Sequence, residues 1–167
     1  FARQMELAVQ SKKPVVVHSR EAESLTIELM KKHLPKDLRI HLHCFTSSAE
    51  MAHTLLDHFA NLCIGFTGAI TFPKADSDRK TVASIPLDRL LLETDSPFMA
   101  PVRLHCSCEC SLPFEIDVQV PHRGRASHCG MIPLVAQCIA DVKKISVEEV
   151  LKQTAKNVEK IYGIVVE

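Results

Sequence analysis

Three residues able to hold a divalent metal stand at the ends of short apolar runs. His18 closes Pro14-Val15-Val16-Val17, His43 closes Ile40-His41-Leu42, and Asp95 follows Leu90-Leu91-Leu92-Glu93-Thr94. Two neutral imidazoles and a carboxylate are a natural ligand set for a hydrolytic divalent ion, nitrogen suiting zinc-like ions and oxygen the harder ones. Glu93 and Asp95 lie one residue apart, so strand alternation sends both to one side and Thr94 to the other. His41 shares the face of His43 but lies one step deeper, and His43 is preferred on that strand. His33, His53 and His58 fall on or beside helices and are expected to be solvated. Cys44 points away from His43 and reads as a core thiol rather than a nucleophile. Cys106-Ser107-Cys108-Glu109-Cys110 lacks the two-residue gaps usual in zinc knuckles.

The elements that position these residues alternate in kind. Phe1 to about Lys12 reads as an amphipathic helix, and Pro14–His18 is a short β-branched strand. Arg20–His33 reads as helix, ended by Pro35. Leu38–Cys44 reads as strand, and Ser47 or Ser48 caps a helix running to about Phe59. Asn61–Phe66 is a third strand, leaving through Gly65 and Gly68. Ala75–Ile85 is a polar surface helix, and Leu90–Glu93 is a buried fourth strand. Strand and helix recurring in this way indicate βα units on a parallel sheet, either half of an eight-stranded barrel or an open doubly wound sheet. In either architecture the strand C-termini share one face, where His18, His43 and Asp95 converge. Residues 101–125 show no period. Beyond them, Met131–Lys143 is amphipathic, and Ser146-Val147-Glu148-Glu149 is a capping box opening a helix that stops at Gly163.

The chain has 167 residues, enough for one domain with a proper core. Lys+Arg and Asp+Glu both number 20, so no net basic field recruits nucleic acid, which must be held locally. No apolar run approaches the roughly 20 residues of a membrane span. Seven irregularly spaced cysteines do not resemble a secreted disulfide framework. They point to a reducing compartment, the cytoplasm first, with nucleus or organelle as alternatives.

With these motifs in place, the chain resembles the C-terminal part of TatD-family metal-dependent hydrolases, which include TatD deoxyribonucleases. The matching stretches are Pro14–Arg20, His43-Cys44-Phe45-Thr46, Ile64–Gly68, Ile85–Pro97 and the final helix. The resemblance implies an α/β fold of the (β/α)8 TIM-barrel type, from about the fourth strand onward, as one partial domain over residues 1–167. It implies that His18, His43 and Asp95 hold divalent metal (Mg, Mn or Zn), with Asp95 also orienting or deprotonating the attacking water. Glu93, His41 and Arg20 are supporting residues in that picture. The implied reaction is hydrolysis of DNA phosphodiester bonds, typically from an end, with DNA as partner. A small-molecule amidohydrolase or phosphoesterase, and an inactive isoform that only binds, are the competing readings.

Departures from the family pattern carry expectations of their own. The family's opening His-x-His motif and its bridging Glu do not occur among the 17 residues ahead of His18. Open sheet edges that favour self-association are therefore expected. Ala126-Ser127-His128-Cys129 stands where many relatives carry an Asn-Glu-Pro-like turn. Residues 102–120 fit no family motif and read as an insertion, with a lid over the site as the alternative.

Overall fold

The computed structural model describes residues 1–102 and 126–164. The Cys106–Cys110 cluster, and all of the 102–120 segment except Val102, lie outside those residues. The order is α1 (Ala2–Ser11), β1 (Val15–His18), α2 (Glu23–His33), β2 (Ile40–His43), α3 (Ala49–His58), β3 (Leu62–Phe66), α4 (Asp76–Ser84), β4 (Leu90–Leu92), α5 (Ile132–Lys143) and α6 (Val147–Tyr162). A 3-10 turn, Gly68–Thr71, follows β3.

All four strands are parallel, and each lies beside its neighbour in sequence, in the order β1-β2-β3-β4. The register pairs Val17 with Leu42, His18 with His43, and Ile64 with both Leu42 and Leu90. The described strands never reverse order, so they lack the switch point that defines a doubly wound sheet. Alternation divides the side chains between two faces. Val17, Ile40, Leu42, Leu62, Ile64, Phe66 and Leu90 enter the main core with Met30, Leu55, Phe59, Val82, Val135 and Ile139. Each fully buried side chain of this size stabilises the fold by about 1.5–3 kcal/mol relative to exposure.

The opposite face carries His41, His43, Gly65 and Glu93. Deeper along it Cys63 and Leu91 pack with Ile161, flanked by Val158 and Tyr162. Helix α6 thus serves both faces, its Val147 and Val150 in the main core and its last turn over the second. The Asn157 side-chain amide donates to the carbonyls of Leu87 and Leu90 (2.9 and 2.7 Å), which fixes α6 against β4. Arg89 donates to the carbonyls of Leu62 and Phe59, both at 2.6 Å, and binds the approach to β4 to the start of β3.

The helix signals act as expected at the ends of α3 and α6. Ser48 is the cap of α3, accepting from Met51 N at 3.2 Å, and its own hydroxyl donates to Glu23. Ser146 accepts from Glu149 N at 3.1 Å, and Gly163 stops α6 with φ 69°. Helix α2 begins at Glu23 rather than Arg20, because Glu21 takes a left-handed φ of 55° that breaks the helical run. β4 ends at Leu92, although Glu93 N still donates to Phe66 O at 3.0 Å and prolongs the pairing by one residue.

The three helix-side histidines are half-buried rather than solvated. His33 Nδ1 lies 3.6 Å from Glu6 of α1, and His53 Nε2 lies 3.0 Å from the Ser84 hydroxyl of α4. The His58 ring meets Phe59 edge-on at 4.7 Å. Helices packed side by side on one sheet give such polar side chains partners that periodicity alone does not reveal.

Candidate metal centre

The C-terminal ends of β1, β2 and β4 meet on the face opposite the main core, and Glu93 is the hub. Its carboxylate is buried, with 8% side-chain exposure. Oε1 accepts from Cys44 N at 3.2 Å and lies 2.9 Å from His41 Nε2. Oε2 contacts His43 Nδ1. The far ring nitrogen of His43 lies 3.2 Å from Asp95 Oδ1. Beyond His41, Nδ1 is 2.5 Å from the Tyr162 hydroxyl at the end of α6. The result is a continuous polar chain from Tyr162 through His41, Glu93 and His43 to Asp95.

Local backbone features make that chain fit. Cys44 takes a left-handed φ of 46°, which turns its amide toward the Glu93 carboxylate. Gly65 leaves the space that Glu93 fills: a β-carbon there would meet Glu93 Oε1 at 1.2 Å and His41 Nε2 at 2.5 Å. Burial, followed by the nearby Glu93 charge and Cys63, pushes the Tyr162 phenol up from its usual value. Its hydroxyl therefore keeps its proton. A tyrosine hydroxyl both donates and accepts, so it supports either tautomer of His41. The Cys44 thiol is pushed up to about 11, chiefly by burial, with the Thr67 hydroxyl opposing and Asp95 adding. It stays a thiol at neutral pH, as expected for a core cysteine and unlike an activated nucleophile.

The donor set suits a divalent cation. His41, His43 and Glu93 each offer a ligand atom, all within 4.8 Å of one another. A neutral imidazole has one donor and one acceptor nitrogen, yet His43 faces a carboxylate oxygen from both. One of those contacts opposes two lone pairs unless a proton or a cation lies there. A cation seated there would satisfy it.

Of the residues singled out by sequence, His43, Asp95, Glu93 and His41 are brought together. His18 stands beside them, its exposed ring 5.8 Å from that of His43 across the β1–β2 pairing. Arg20 stays on the surface, its Nε 3.9 Å from Glu21. Tyr162 and Gly65 were not singled out. The signal for Gly65 was its place inside an apolar strand, where a glycine marks close approach. Tyr162 carried no local signal beyond being the chain's single tyrosine.

A TatD-related DNase family model matches residues 1–163, including the segment between Pro101 and Pro121 where the motifs lapse. The chain belongs to the TatD family. It is 36% identical over 98% of its length to the human 3'-5' RNA nuclease TATDN2, of which it spans 20%. It is 34% identical to the Escherichia coli metal-dependent hydrolase YcfH, spanning 54% of that protein. It is also 34% identical to the 3'-5' ssDNA/RNA exonuclease TatD of Erwinia amylovora, spanning 58%. The chain thus covers little more than half of the bacterial TatD relatives.

Solved structures agree on the TatD fold. The TatD homologue YjjV of Escherichia coli superposes with a TM-score of 0.77 over 97% of this chain and 54% of its own, at 24% identity. A Saccharomyces cerevisiae amidohydrolase gives 0.78 over 96% and 58%, at 20% identity. Among the described residues, no helix is long and apolar enough to cross a membrane.

Proposed function

We propose that this chain is a metal-dependent hydrolase of nucleic-acid phosphodiester bonds, acting at the rim where β1, β2 and β4 end. The observation that carries the reading is the His41–His43–Glu93 donor cluster, with Asp95 one hydrogen bond further out. His18, His43 and Asp95 line the more exposed step of the rim, and His41 with Glu93 the deeper one; the ion would take donors from both. When bound, a divalent cation supplies Lewis acidity, acidifying water and offsetting phosphate charge.

The chain's own residues divide the remaining work. Asp95, with 32% side-chain exposure, orients the attacking water and takes its proton in this reading. His43 holds Asp95 in position from one side while Glu93 holds His43 from the other. Tyr162 and Cys44 N orient the His41–Glu93 pair from below. Relatives described as nucleases for RNA and for single-stranded DNA or RNA support an unpaired strand as substrate, and the family description supports DNA.

The consecutive parallel strands, with the main core on one side of the sheet, support an arc of a (β/α) barrel as the architecture. Strands β1 and β4 each pair with one described strand, so association of two copies through these edges belongs to the same reading. The deciding experiment is cleavage of end-labelled single-stranded DNA and RNA with added Mg, Mn or Zn, beside a chelator control and Asp95→Ala. Cleavage lost in both controls is expected. Cleavage that survives Asp95→Ala and chelation alike would sink the proposal.

A further inference from the structure

The turn that follows Asp95 carries a feature that no metal chemistry requires. Phe98 is 71% exposed, the most exposed large apolar residue among those described. Isolated exposed apolar side chains are ordinary on protein surfaces. This one differs in two respects, its place and the anchoring of the backbone that carries it. Its backbone N–H donates to Asp95 O at 2.8 Å, so one tight turn joins the ring to a carboxylate of the site.

The same turn is anchored on several sides. Ser127 N donates to Pro97 O at 2.8 Å, and Val102 N donates to the Thr71 hydroxyl at 2.8 Å. Pro101 is buried. Gly68 accepts the close approach of the segment: a β-carbon there would lie 2.0 Å from Met99 O and 2.9 Å from Pro101 N. Met99 takes a left-handed φ of 54°, a conformation that costs a non-glycine residue energy. An apolar ring is thus held out to solvent beside the site by a backbone that is fixed on both flanks.

We infer that Phe98 is a stacking platform that seats an unpaired nucleobase of the substrate strand beside Asp95. This rests on the nuclease reading above and deepens it by naming how the strand is gripped. The chemistry fits a chain whose formal net charge is zero. Without a basic field, affinity for a strand must come from local contacts, and base–aromatic stacking is the contact that every base can make. Stacking tolerates sequence, so DNA and RNA strands are both expected to use the ring. A duplex offers the ring only its frayed ends.

The test compares single-stranded oligonucleotides with the same strands made abasic at the terminal nucleotides. Binding is read by fluorescence anisotropy in chelator, so that no strand is cleaved. Wild-type protein is expected to prefer the base-bearing strand. Phe98→Ala should weaken that binding about fivefold to a hundredfold and leave the abasic strand unaffected, whereas Phe98→Trp should restore the preference. Equal binding of both strands by wild-type protein, absent binding of either, or an unchanged Phe98→Ala overturns the inference.

Metal-dependent cleavage of the base-bearing strand, measured in parallel, reads the nuclease proposal independently. Base preference without cleavage upholds the platform and rejects the nuclease reading. Cleavage without base preference does the reverse.

Discussion

Gly65 and Glu93 compete for one volume above the sheet, since a β-carbon on Gly65 would lie 1.2 Å from Glu93 Oε1. The hydrogen at that position is therefore part of the site. Gly65→Ala must displace the carboxylate, breaking its contacts with His41, His43 and Cys44 N together. The expected cost is about 1–3 kcal/mol of stability, as for other overpacked positions, with loss of metal-dependent activity. In a Glu93→Ala background the same substitution should cost less, because the carboxylate is gone and only the 2.5 Å approach to His41 Nε2 remains to be relieved. Denaturant titration of the four proteins measures that coupling. Additive effects would show that the clash relaxes elsewhere.

Glu93→Gln keeps the shape of the hub and removes its charge. The amide can still accept from Cys44 N through its oxygen, so the fold is expected to survive. Its NH2 group cannot serve a cation, and cleavage should fall at least about a hundredfold, the scale seen when positioned acid–base groups are removed. Calorimetric titration with Mn or Zn should show the matching loss of affinity. Unchanged metal binding would place the ion on His18, His43 and Asp95 alone.

The parts of this site that the sequence revealed were those with a local signature. His43 and Asp95 stood at the ends of apolar runs, and their shared face followed from period-two alternation. The same alternation showed His41 on that face, yet depth along the strand argued against it. The structure gives both histidines to Glu93 because the glutamate reaches from the end of β4 across Gly65 of β3 and lies between His41 and His43 of β2. Tyr162 was illegible for another reason. It reaches His41 from 121 residues away through the packing of α6 on the second sheet face, and no periodicity encodes that contact. Strand order was equally hidden, since βα rhythm alone fits both a barrel arc and a doubly wound sheet.

Tyr162→Phe removes one hydroxyl and leaves the packing against Cys63 and Leu91 intact. The lost hydrogen bond should cost about 1 kcal/mol of stability. The larger effect is expected in metal affinity, a drop of about tenfold to a hundredfold, because the ring of His41 loses the partner that holds its orientation. A thermal melt paired with metal titration separates the two effects. A stability loss with unchanged affinity would make Tyr162 a packing residue only.

Three buried thiols set an alkaline limit to stability. Burial is the leading cause that pushes Cys44, Cys63 and Cys138 from the ordinary value of 9.0 up to about 11. Between those values the folded chain keeps protons that the unfolded chain has released. Stability is therefore intact below about pH 9 and falls as pH rises through the window to about 11. The raised Tyr162 phenol acts in the same direction. Urea midpoints at pH 8, 9 and 10 should decline in order, and brief alkylation at pH 8 should modify exposed Cys129 before these three.

His18 separates a ligand from a structural histidine more cleanly than any other residue here. Its side chain is exposed and its strand is short, so His18→Ala removes little packing and should change stability by less than about 0.5 kcal/mol. His43, by contrast, is held between Glu93 and Asp95, and His43→Ala leaves a buried carboxylate short of a partner, at about 1–3 kcal/mol. If His18 reaches the ion from across the β1–β2 pairing, its removal weakens metal binding while the melting curve stays in place. Affinity unchanged in His18→Ala, with activity retained, would confine the centre to β2 and β4.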